Sequence, residues 1–143
     1  MKKYVISVII AAIVAVALLV GFIISIPLVN NGSAKDVEKS LTDIALPEDT
    51  ELVESISKAG KLVGNGNGMQ YFGAVLIKSD LTPDELSDFY SGAVVKKQTS
   101  QKIEVVEHEQ MSFETVIDGD DYYIVYMFDG SSSFFANLDI RGH

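Results

Sequence analysis

Hydrophobic residues fill the chain from Tyr4 to Ile26 without one charged side chain, and after that run apolar and polar positions alternate in short periods. The 23 residues of the run would span roughly 35 Å as a helix at about 1.5 Å per residue, enough for the hydrocarbon core of a bilayer. A cleavable signal core is shorter and ends at a small-x-small site, and the one candidate site is Gly32-Ser33-Ala34. The run is therefore expected to be an uncleaved signal anchor. Lys2 and Lys3 precede it closely, whereas Lys35 and Lys39 beyond it are diluted by Asp36, Glu38 and Asp43, so the positive-inside rule places the N-terminus in the cytoplasm and the remainder outside.

Beyond Asn30-Asn31-Gly32, read as a break, Ser33 is placed to cap a short helix with Val37, Leu41 and Ile44 along one face, ended by Pro47. Alternation from Thr50 to Ser57 predicts a strand, and Met69 to Lys78, rich in β-branched and aromatic residues, predicts a clearer one. Thr82-Pro83-Asp84-Glu85 places a cap, a proline at the first helical position and a glutamate at the third, a capping box. A helix is expected from Pro83, with Leu86, Phe89 and Tyr90 on its apolar stripe and Gly92 as its stop. Three further strands are expected, at Ile103 to Gln110, Tyr122 to Phe128 and Phe134 to Arg141, with the middle one covered on both faces and the last wet on one.

The implied fold class is α+β: an N-terminal transmembrane helix, then a small antiparallel sheet with one main helix packed on it. The expected boundaries are a cytoplasmic N-terminus at 1–3, the anchor at 4–29, a juxtamembrane linker and short helix at 30–46, and an extracytoplasmic domain at 47–143.

Charge and composition then exclude several functions. The net charge is −9, and setting aside Lys2 and Lys3 with the anchor leaves the rest at −11, so no nucleic acid partner is expected. Cysteine is absent, which removes disulfides, thiolate metal sites, cysteine nucleophiles and a lipid-attachment cysteine.

Gly64-Asn65-Gly66-Asn67-Gly68 resembles a phosphate loop in composition alone, because the element that follows it is a strand and no Walker lysine is present. Its two Asn-Gly pairs instead favour a type I′ hairpin turn, and the loop is the candidate interaction site. Asp118, Asp120 and Asp121 lack the glutamate that completes a calcium loop and read as an acidic turn. His108 lies between Glu107 and Glu109 on an expected strand, where neighbours face opposite ways, so no His-carboxylate dyad forms locally. No catalytic, metal or cofactor-binding residues are assigned. Tyr71, Tyr123 and Phe135 are the candidate aromatic surface on a sheet face that one helix cannot cover.

The expected function is that of a non-enzymatic, single-pass membrane protein whose acidic domain mediates protein–protein interaction at the cell envelope. The alternative is a sensing module that holds a cell-wall sugar or small molecule at the glycine loop. Expected partners are the bilayer, through the helix, and an envelope protein. The small residues Ser7, Ala11 and Ala15, or Ala17, Gly21 and Ser25, spaced by four, also allow a homodimer through the membrane helix.

Overall fold

The computed structural model describes residues 2–130 and 133–143. Its first element, α1 (Lys2–Thr42), is one helix of 41 residues that runs through Pro27 and through Asn30-Asn31-Gly32 without a break. The apolar run forms its first half and is exposed from Tyr4 to Ile24, long and apolar enough to cross a membrane. The second half is part of the folded domain: Asn30, Ala34, Val37 and Leu41, spaced four, three and four apart, are buried against the sheet. The expected break is thus a correction. Packing of this stripe outweighs the weak helix propensity of Asn and Gly, and Ser33 bonds back to the Val29 carbonyl instead of capping a new helix.

The remaining order is β1 (Thr50–Gly60), β2 (Gln70–Ser79), α2 (Pro83–Phe89), β3 (Val94–Lys97), β4 (Tyr122–Asp129), α3 (Phe134–Leu138) and a 3-10 turn at Ile140–Gly142. The four strands form one antiparallel sheet in the order β1-β2-β4-β3. The α+β class holds, and both strongly patterned central strands lie where alternation placed them.

Each face of the sheet is covered. On one, Val75, Ile77, Tyr123 and Val125 meet Leu41 of α1 with Leu86 and Tyr90 at the end of α2. The capping box of α2 is formed, with Thr82 accepting from the Glu85 amide and the Glu85 carboxylate accepting from the Thr82 amide. On the other face, Phe72, Leu76, Ile124 and Tyr126 meet Ile103, Val106, Met111 and Phe113 from the segment between β3 and β4.

That segment was expected to be a strand at Ile103 to Gln110 and is instead an irregular cover whose one ladder contact is an isolated bridge between Lys102 and Ser112. Its buried residues fall at irregular spacing, so no period-2 pattern aligns it with a sheet edge. Glu54 on β1 pins it by accepting from the Glu114 and Thr115 amides at 3.0 Å. Although burial opposes ionisation of Glu54, these bonds hold its carboxyl below the usual range. The expected strand at Phe134 to Arg141 is likewise corrected to α3 and the 3-10 turn, because the Ser133 side chain caps the Ala136 amide and starts a helix.

Gly73 fixes how closely α1 approaches the sheet. A Cβ there would lie 2.7 Å from both the Glu38 Cα and the Val37 carbonyl carbon, helix backbone that cannot swing aside. We predict that Gly73→Ala destabilises the fold by about 1–3 kcal/mol through overpacking, whereas Gly66→Ala, in open space, changes it by less than about 0.5 kcal/mol. Denaturant unfolding of the detergent-solubilised full chain measures both, and equal stability of the two variants would contradict this contact.

Candidate functional site

Two ends of the domain differ in construction. At the near end, where the apolar run leaves, α1 meets the start of β2, the end of β4, α3 and the 3-10 turn; at the far end lie the loops before β1 and after β2 and the turn before β4.

The near end is held by one buried polar cluster. Asn30 is fully buried, and a buried amide must find partners. Its Nδ2 donates to the Phe135 carbonyl at 3.1 Å and to Asp139 Oδ2 at 2.9 Å, while its Oδ1 accepts from the Tyr71 hydroxyl at 2.8 Å. Asp139 also accepts from Arg141 three times, from Nε at 2.9 Å, from Nη2 at 2.7 Å and from the amide at 3.1 Å. Arg141 Nη1 extends the cluster to Asn31 Oδ1 at 2.9 Å. The guanidinium and, against the opposing effect of burial, the Asn30 amide hold the Asp139 carboxyl down at about 2. A carboxylate with four donors, paired with a guanidinium, has no proton to exchange near neutrality. The cluster is a clamp between α1, β2 and the C-terminal segment.

The candidate aromatic surface falls largely into this architecture. The expected exposure is corrected: Tyr71 is buried in the clamp and Tyr123 beneath α1 and α2, because the second half of α1, read as a linker, packs on their face. Phe135 is half-buried, its ring centroid 6.2 Å from that of Phe22 on α1.

The glycine loop, residues 61–69 between β1 and β2, also lies at the near end and is ordered at its base. Gln70 Oε1 accepts from the Leu62 and Val63 amides at 2.8 and 2.9 Å, and the Gly68 amide donates to the Gly142 carbonyl at 2.7 Å. Glu107 accepts from the Gly64 amide at 2.9 Å, and His108 Nε2 bonds the Gly64 carbonyl at 2.6 Å. Gly64 (φ 73°) and Gly68 (φ 147°) take the positive values, but Asn65 and Asn67 do not, so neither Asn-Gly pair forms the expected type I′ turn. The tip, Asn65 to Asn67, is exposed, and a Cβ on Gly66 would meet nothing within 4 Å.

The far end gathers acids. Glu48, Asp49, Asp80, Asp118 and Asp120 are exposed there, joined by half-buried Asp121. Backbone bonds from Ser79 to Asp121 (2.9 Å) and from Asp80 to Asp49 (3.3 Å) hold these loops side by side. The three aspartates of the expected acidic turn diverge: Asp118 accepts from the Tyr122 hydroxyl at 3.3 Å, while Asp120 and Asp121 reach Lys97 and Lys78 at 3.6 and 3.4 Å. A groove of about 340 Å³ runs between Asp49, Glu51, Lys78, Asp80 and Asp121. Among the described residues no group of three or more metal-ligating side chains converges. A second groove, about 280 Å³, carries Lys96, Lys97 and Lys102 beside the β3 edge.

The sequence reading missed Asn30, Asp139 and Arg141. A signal was present, since Asn30 continues the helical register of Ala34, Val37 and Leu41, but it was hidden by treating Asn-Asn-Gly as a break.

Asp139 has a folded-state value depressed below its ordinary 3.8, so its stabilisation is present above that value and is lost as pH falls toward about 2. We predict that Asp139→Asn costs about 2 kcal/mol at neutral pH and removes the part of acid denaturation between those limits. Unfolding free energies measured across that range test it; an unchanged acid limb would contradict the clamp.

Comparison of the chain with protein-family models, with curated proteins and with solved structures gave no match, so a functional reading rests on the geometry of its two ends.

Proposed function

We propose that the chain is a non-enzymatic, single-pass membrane protein that holds an acidic extracytoplasmic domain at a fixed height and orientation to dock another envelope protein. The observation that carries this reading is the polarity of the domain: its near end is occupied by the helix that leads into the apolar run, and its exposed acidic loops lie at the opposite end. With the run spanning the bilayer, those loops face away from the membrane. Lys2 and Lys3 before the run favour a cytoplasmic N-terminus.

The chemistry of the far end favours a basic partner surface. Exposed carboxylates steer association over about a Debye length, roughly 8 Å at physiological ionic strength, and confer salt sensitivity. The non-enzymatic part of the reading follows from the sequence, which holds no cysteine and no GxSxG or HExxH spacing.

Two outcomes are expected. Because the chain has no cysteine, Asp120→Cys supplies a single label site, and a membrane-impermeant maleimide added to intact cells should modify it; labelling only after lysis would reverse the orientation. A photo-crosslinking residue at position 120 should give one discrete adduct in intact membranes that is lost in Asp49→Lys, Asp80→Lys and weakened at high salt. An adduct indifferent to both changes would place the docking surface elsewhere.

A further inference from the structure

The C-terminal segment leaves large apolar side chains uncovered: Phe134 is 65% exposed, Leu138 42% and Ile140 85%. In a domain that buries its core on both sheet faces, such a cluster requires an occupant. We propose that Phe134–Ile140 is a second membrane contact, an in-plane element embedded in the lipid leaflet on the domain's side, beside the spanning helix. This inference rests on the spanning reading of α1.

Four observations select lipid as the occupant. The first is depth. The Phe134 ring lies 6.3 Å from that of Phe22, and Phe22 precedes the end of the apolar run at Ile26 by four residues, about 6 Å along a helix. The segment therefore sits level with the last turn of the run, where interfacial elements insert by about 5–10 Å. The second is continuity: a groove of about 340 Å³, lined by Ile23, Ile26 and Pro27 of α1 and by Leu138 and Ile140 with the paired Asp139 and Arg141 at its rim, joins the patch to the exposed surface of the run.

The third is amphipathicity. Phe134 and Leu138, four apart on α3, point outward together, while Ala136 packs on the domain with Ala34 and Val37. The fourth is backbone satisfaction, which a lipid environment demands. The Ala136 and Asn137 amides donate to the Ser133 side chain and carbonyl, the Asp139 amide donates to the Ala136 carbonyl, and the Phe135 carbonyl accepts from Asn30. The Asn30–Asp139 bond then holds this element against α1 at that depth.

The chain contains no tryptophan, so single-tryptophan variants of the full protein report the environment directly. Phe134→Trp, Ile140→Trp, Phe22→Trp and Val116→Trp would be reconstituted separately into phosphatidylcholine vesicles brominated high on the acyl chains. The expected result is loss of emission for Phe134→Trp and Ile140→Trp comparable to that for Phe22→Trp, with shielding from aqueous acrylamide; Val116→Trp on the far cover should show the reverse. If Phe22→Trp is quenched by lipid but the two C-terminal positions respond only to acrylamide, or to neither quencher because protein covers them, the lipid contact is overturned while the span stands. If Phe22→Trp itself escapes lipid quenching, the spanning reading fails and takes this inference with it.

Discussion

A single helix that is apolar and exposed all round in its first half and packed on a sheet in its second must change to a one-sided stripe without ending, and Asn30 stands where that change occurs. Its buried amide has value only if every donor and acceptor is met, and Tyr71 from β2 and the Phe135 carbonyl and Asp139 from the C-terminal segment meet them. Loss of any one partner would leave a polar group stranded in an apolar surround. The clamp therefore couples residues more than a hundred positions apart, and it does so at the junction between run and domain. Gly73 completes the coupling by letting α1 lie on the sheet at backbone distance.

From this junction the remaining structure follows. With α1 laid along β1 and β2, the same face needs only the short α2 to close over β4, and the opposite face is left to the irregular segment tied down by Glu54. The glycine loop is drawn to the near end because its two limbs end against the 3-10 turn, where Lys61 and Gly68 donate to Arg141 and Gly142 carbonyls. The close approach is made possible from the side of the turn: a Cβ on Gly142 would lie 2.9 Å from the Met69 amide nitrogen. At the far end the acidic loops are held side by side by the Ser79–Asp121 and Asp80–Asp49 backbone bonds.

Local signals were legible where one interaction range decided the outcome. The capping box at Thr82, the alternation of β2 and the two-sided apolar pattern of Tyr122 to Phe128 each specify an element with little help from outside, and each formed. What alternation could not resolve was the segment Phe134 to Arg141, whose apolar spacing fits a strand with one wet face but whose Ser133 cap and Asp139 contacts belong to a helix against α1. Asn30-Asn31-Gly32 misled in the opposite direction, because propensity marks a break and only the buried stripe, a tertiary fact, shows why the helix continues. Short β3 carried too little pattern to be seen at all. The aromatic residues were correctly assigned to neighbouring elements in part, yet Tyr71 and Tyr123 are interior because an element read as linker covers them.

Continuity of α1 through Pro27 and Asn30 is the claim on which fixed presentation of the domain depends, and the cysteine-free chain allows it to be measured with paired spin labels at Leu19→Cys on the apolar run and Asp88→Cys on α2. In lipid nanodiscs the expected result is a single narrow distance distribution. A broad or multimodal distribution would show a hinge between the run and the domain, and would contradict the rigid coupling made by Asn30, Tyr71, Asp139 and Arg141.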